Sequence, residues 1–149
     1  MIYTANITTT KSTPKTALKK TVLHVNKGLV YKVEIYVPPG AAGLLGVSVF
    51  DGLYQVWPSS VGEFFVGDDI MISFDDLFLK EAAPYQFQIC TYNEDDTYDH
   101  TCSVRVGLVS NEAFMARFLP TKSREYFEKM RLRLLSEQTK SLAKQLEGM

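Results

Sequence analysis

No run in this 149-residue chain approaches the roughly 18 apolar residues that a membrane-spanning helix needs, which removes that class of function. The opening stretch MIYTANITTTKSTPK has no apolar core of the kind a secretory leader carries, so export by that route is not expected. The sequon Asn6-Ile7-Thr8 accordingly reads as accidental. GxSxG, HExxH and CxxC are all missing, as is a phosphate-cradling glycine loop, so the sequence singles out no enzyme class. No internal repeat is visible. There is also no acid before Val33, and from Val33 to Cys102 there is a single base, Lys80.

Those last two absences are one pattern. The segment up to Lys32 carries six lysines (11, 15, 19, 20, 27 and 32), so +6. The segment from Val33 to Cys102 carries −11, and the rest +4, leaving −1. A basic arm, an acidic body and a basic tail suit a chain that docks on copies of itself or on a larger assembly. The overall charge gives no case for specific nucleic-acid binding, the local charge of the arm gives a weak one, and nothing points to a membrane partner.

The hydrophobic share of 46% suffices for one core, and the aromatic share of 12% is rich. Residues 1–20 read as an extended arm, with six threonines among the first sixteen residues and no usable apolar period. From residue 21 the period is two. TVLHVN and LVYKVEIYV read as strands, with Val33, Ile35 and Val37 on one face. GVSVF, the Asp51-Gly52 turn and LYQVW form the strongest hairpin signal, and Pro58 ends it. GEFFV, IMISF, YQFQICTY and TCSVRVGLV continue the series. Eight or nine short strands with Gly, Pro or Asp at their ends predict an antiparallel β-sandwich of jelly-roll type over 21–109, mainly β in class.

Over 110–149 the period becomes helical. Ser110-Asn111-Glu112 can cap AFMARFL, and Thr121 or Ser123 can cap a longer helix reaching about Glu147. On it Phe127, Met130, Leu134, Leu135 and Leu142 make one broad stripe, which either packs on the chain's own sheet or docks on a neighbouring subunit. In the second case the interface comprises Phe127, Met130, Leu134 and Leu142 from the tail and Lys11, Lys15, Lys19 and Lys20 from the arm.

The acidic loop from Asn93 to His100 is the best candidate site. Asn93, Asp95, Asp96 and Asp99 supply oxygen ligands of the kind a Ca²⁺ ion takes, and in that outline the loop is similar to those of C2 domains. The alternatives are a solvated hairpin tip or a salt-bridged contact to a basic partner. Trp57 either plugs the sandwich end or offers a ring to a sugar. His100 with Asp99 and a nearby cysteine is the only hint of a Cys-His pair, and carboxylate pairs abound without one standing out. If Cys90 and Cys102 sit on the two arms of a hairpin, matching the apolar faces puts them out of register, so two free thiols are expected.

VPPG at 37–40, the Asp51-Gly52 turn, Gln55 with Trp57-Pro58, the GDD turn at 67–69 and YNEDDTYDH together give a pattern. It resembles small β-sandwich proteins encoded among the structural genes of tailed bacteriophages, over about residues 21–109. The resemblance implies a non-enzymatic virion component, made in the host cytoplasm and built into a symmetric shell or ring. Capsid decoration, minor capsid and head–tail junction roles all fit, with copies of itself and a larger capsid as partners and no cofactor. The alternative is a sandwich binding module that uses its acidic loop with Ca²⁺ or Trp57 with a glycan.

Overall fold

A computed structural model describes residues 1–110, 112–114 and 124–148. Eight strands form two four-stranded antiparallel sheets: β1 (Ile2–Thr9), β2 (Lys19–His24), β3 (Gly28–Val37), β4 (Leu45–Asp51), β5 (Tyr54–Trp57), β6 (Ile70–Lys80), β7 (Gln86–Asn93) and β8 (His100–Val109). A long helix, α1 (Arg124–Glu147), follows. The first sheet has the order β1-β8-β3-β6 and the second β2-β7-β4-β5. The pairings β1–β8, β2–β7, β3–β6 and β4–β5 are nested, so the chain folds as one long hairpin bent over two layers. This is an antiparallel β-sandwich, as the period-two runs predict.

The core lies where the alternation puts it. Val33, Ile35 and Val37 from β3 are fully buried with Val104 and Val106 from β8. Val47 and Val49 from β4 meet them with Phe87 and Ile89 from β7. The Asp51-Gly52 turn joins β4 to β5, with Gly52 at φ 61°, a value that costs glycine little. At Gly46 the demand is for space, since a Cβ there would come 2.0 Å from the Tyr92 ring.

Three expectations need correction. Residues 2–9 are not an arm but the edge strand β1, paired along its length with β8. Its inward positions are Tyr3, Ala5, Ile7 and Thr9, of which only Ile7 is a large aliphatic, so no apolar period shows, although threonine suits a strand. The buried Thr9 hydroxyl is satisfied by the Thr91 hydroxyl of the other sheet at 2.7 Å. GEFFV is not a strand and makes only a bridge between Phe65 and Val47. β7 and β8 are not a hairpin either, because β7 pairs with β2 and β4, and β8 with β1 and β3. Residues 94–99 therefore cross between sheets, so the register argument for the cysteines rested on a pairing that does not occur. Both thiols are free and buried. Cys90 pairs with Ser48, and the alternation sets these two on the face opposite Ile89 and Val49.

The Ser110 hydroxyl accepts the Ala113 N–H at 3.2 Å, the cap expected there. Most of AFMARFL and the caps at Thr121 or Ser123 lie outside the described residues. α1 seats Phe127 in a second apolar cluster with Leu29, Leu79, Val109 and Phe114, against which Met130, Leu134 and Leu135 also pack. The tail stripe read as an interface thus faces this chain's own sandwich, and Leu142 lines a cavity between helix and sheets. No described helix is long and apolar enough to cross a membrane.

Candidate functional site

The acidic loop folds into a knot of local hydrogen bonds. Asn93 is fully buried at the end of β7. Its Nδ2 donates to the carbonyls of Thr9 (3.1 Å) and Tyr98 (2.9 Å), and its Oδ1 accepts the Asp95 N–H (3.0 Å). Asp95, 8% exposed, accepts the N–H groups of Thr97 (2.8 Å) and Tyr98 (3.2 Å) on Oδ1. Its Oδ2 lies 2.8 Å from Nε2 of His100, itself buried at the start of β8. These are the turn bonds that Asn and Asp make with nearby backbone.

The basic segment is sewn onto this loop. Ser12 N–H donates to the Asp95 carbonyl at 2.8 Å, and Thr13 and Asn93 exchange two backbone bonds of 2.9 Å. The backbone N–H of Lys11 donates to Asp99 Oδ1 at 2.8 Å. Lys15 Nζ is 3.7 Å from Glu94 and 4.9 Å from the centre of the Tyr92 ring. The Lys15–Glu94 pair is half-exposed and contributes little stability. Opposite charges that the sequence holds far apart thus meet within one chain. The side chains of Lys11, Lys15, Lys19 and Lys20 remain exposed.

The oxygens expected to ligate Ca²⁺ are engaged by the chain's own donors. A bound Ca²⁺ needs six or more oxygens converging on one point. Here Asn93 Oδ1 and Asp95 Oδ1 accept N–H groups of the loop, Asp96 Oδ1 accepts the Thr97 hydroxyl, and Asp99 Oδ1 accepts the Lys11 N–H. Among the described residues no three His, Cys, Asp or Glu side chains are grouped so as to hold a metal ion.

The Cys-His hint fails on the same ground. His100 turns Nε2 to Asp95, and burial pushes the Cys102 thiol up to about 11, far from the thiolate that nucleophilic chemistry needs. Burial raises the Cys90 thiol too. Trp57 is 3% exposed, which leaves no ring face for a sugar. It packs among Phe74, Phe78 and Phe87, with Nε1 donating to Asp76 Oδ2 at 2.7 Å.

The Asp95 carboxyl is held below its ordinary value, first by the Thr97 N–H and then by His100. A carboxyl depressed by folding stabilises the fold above its unfolded value, and that contribution is lost as pH falls through the lower folded value. Urea midpoints measured downward from neutral pH should therefore drop below about pH 4, and Asp95→Asn should flatten that part of the profile. An unchanged acid limb in the variant would show that Asp95 does not carry it.

Sequence reasoning missed the contacts of α1 with the sandwich edges. Arg131 binds both carboxylate oxygens of Glu81, just beyond β6, and reaches Glu128 at 2.7 Å. Gln138 and Gln145 bind the edge strands themselves. The first exchanges two bonds with the backbone of Leu79, and the second donates to the carbonyls of Gln55 and Ser59. A hydropathy stripe registers none of these polar groups.

The fold and these contacts define a class: an antiparallel β-sandwich with a helix laid over one side. No family model matches the chain, and no curated protein does. Among solved structures, a chain of the cyanophage Pam1 capsid asymmetric unit is similar, with a TM-score of 0.50 and 17% identity over 71% of this chain and 81% of that one. At that identity the likeness is one of fold.

Proposed function

We propose that this chain is a non-enzymatic structural component of a bacteriophage virion, assembling with copies of itself and with a capsid. The strand order carries the reading. Orders β1-β8-β3-β6 and β2-β7-β4-β5 are those of an eight-stranded jelly roll, an architecture used by viral capsid proteins and by several unrelated families. Fold alone does not determine function; the cyanophage capsid neighbour and the sorted surface charge support the same reading.

Decoration, minor capsid and head–tail junction roles share this chemistry. The exposed Lys11, Lys15, Lys19 and Lys20 make the polar contacts to neighbouring subunits in all three. Charge steering of this kind speeds association and is screened by salt. The chain works without a metal cofactor, so calorimetric titration with Ca²⁺ should show no EDTA-reversible site. The virion reading is tested by density-gradient purification of particles from the source that encodes the chain. The chain should travel with the particles in many copies, and its confinement to the soluble fraction would contradict the reading.

A further inference from the structure

The β5/β6 side of the sandwich brings together an edge strand from each sheet. Edge strands present unpaired backbone groups, and proteins cover them to prevent strand addition. Here the cover is chemical. Gln138 Oε1 accepts the Leu79 N–H at 2.8 Å, and its Nε2 donates to the Leu79 carbonyl at 3.3 Å. A primary amide that gives and takes one bond at the same residue reproduces what a neighbouring antiparallel strand does. Gln145 Nε2 donates to the carbonyls of Gln55 (3.0 Å) and Ser59 (3.4 Å) on the β5 side. Seven residues are two helical turns, about 10.5 Å, close to the roughly 10 Å between packed sheets. One face of α1 thus closes both edges.

The closure is incomplete. A cavity of about 480 Å³ lies between α1 and the sandwich, lined by Asp51, Tyr54, Phe78, Lys80, Leu135 and Leu142 among others. The buried anchor Phe127 is near the helix start, while the second half is tied to the edges by the two glutamines. Along the rest of β6, Ile70, Met71 and Leu77 are exposed large apolar side chains, with exposed Asp75 and Asp76 between them.

We propose that the β5/β6 side is a strand-docking interface for a second copy of this chain, which α1 holds closed until its C-terminal half is released. Charge complementarity selects the strand. β2 is the edge of the second sheet on the opposite side, and shows Lys19, Lys20 and Val22 to solvent. Laid along β6 of the next copy, it sets lysines against Asp75 and Asp76 and Val22 beside exposed apolar groups. Pairing β6 with its own counterpart would oppose like charges. A β2-to-β6 contact is head-to-tail, and such contacts generate rings or extended arrays. The identity of the partner rests on the assembly reading; the glutamine caps do not.

Sedimentation velocity at low salt, with hydrogen exchange on the same full-length samples, tests this. In Gln138→Ala/Gln145→Ala the amides of 138–147 should lose protection and the sedimenting mass should at least double relative to wild type. Adding Lys19→Glu and Lys20→Glu should return it to the wild-type mass. Arg131→Glu, which breaks the Glu81 tie of the first half of α1 and alters neither glutamine contact, should leave the mass at the wild-type value. Unchanged protection in the glutamine variant would show that the amides do not hold the helix. Release without a mass increase would overturn the interface, and association that survives the lysine reversals would overturn the choice of β2. A chain found in purified particles whose released variants stay at wild-type mass sinks this interface alone and leaves the virion reading standing.

Discussion

Phe87→Ala should cost about 3–5 kcal/mol of folding stability, the largest loss expected from a single core truncation here. Phe87 is fully buried on β7 at the middle of the sandwich. Its ring centre lies 5.4 Å from that of Trp57 and 5.9 Å from that of Phe78, so it ties β5 and β6 to β7. Truncation removes the transfer free energy of a whole ring and leaves a cavity that neighbouring rings, fixed in opposite sheets, cannot collapse to fill. Urea unfolding should show a much lower midpoint with an unchanged slope, since the surface exposed on unfolding stays the same. Leu53→Ala is the control. Leu53 is 84% exposed beyond the Asp51-Gly52 turn, and its loss should stay within about 0.5 kcal/mol. Comparable midpoints for the two variants would mean that the aromatic cluster is not the centre of the core.

The second large effect concerns Lys80, the one base in the acidic body. It is 3% exposed at the end of β6, and its Nζ lies 2.7 Å from Asp51 Oδ1. Asp51 ends β4, so the pair links the two sheets beside α1. Removing one partner of a buried pair costs about 3–5 kcal/mol, because the other charge is left without compensation. Asp51→Ala strands the ammonium, and about 3 kcal/mol is expected, since the Asp51 side chain is 28% exposed and water already screens it in part. Lys80→Met should cost less, as the stranded carboxylate is the partner that reaches solvent and the methionine chain fills similar space. The double variant should recover part of the Asp51→Ala loss. A larger loss for Lys80→Met than for Asp51→Ala would contradict this account of the pair.

These two sites show what was legible in the sequence. Phe87 and Ile89 fall on one face of YQFQICTY by alternation alone, and both are fully buried. The same holds for Val33, Ile35 and Val37, because a strand's side-chain period is a local property. Strand pairing is not local. The six residues 94–99 could turn back or cross between sheets, and what decides is a buried knot of Asn93, Asp95 and His100 that no spacing rule announces. β1 was hidden for another reason: Thr9 is buried and polar, satisfied by Thr91 at a sequence distance no local pattern spans.

Lys80 stood out in the charge pattern as the lone base of its block, without a sign that it is buried. Its partner Asp51 is legible only as a turn residue. For α1 the apolar stripe was correct, and its partner is the chain's own sheet. Gln138 and Gln145 carried a signal in retrospect, two amides seven residues apart on a helix that begins apolar and ends polar. The charge blocks have a different meaning in the folded chain. Residues 11–15 of the basic N-terminal segment lie along its own acidic loop, and the lysine side chains it leaves exposed are the groups offered outward.

Whether this sandwich is built into a virion is decided by lysine cross-linking and mass spectrometry on intact purified particles. The account predicts links from exposed lysines of this chain, Lys19 and Lys20 foremost, to further copies of itself and to capsid chains. Particles whose cross-links connect capsid chains while this chain contributes none would contradict it.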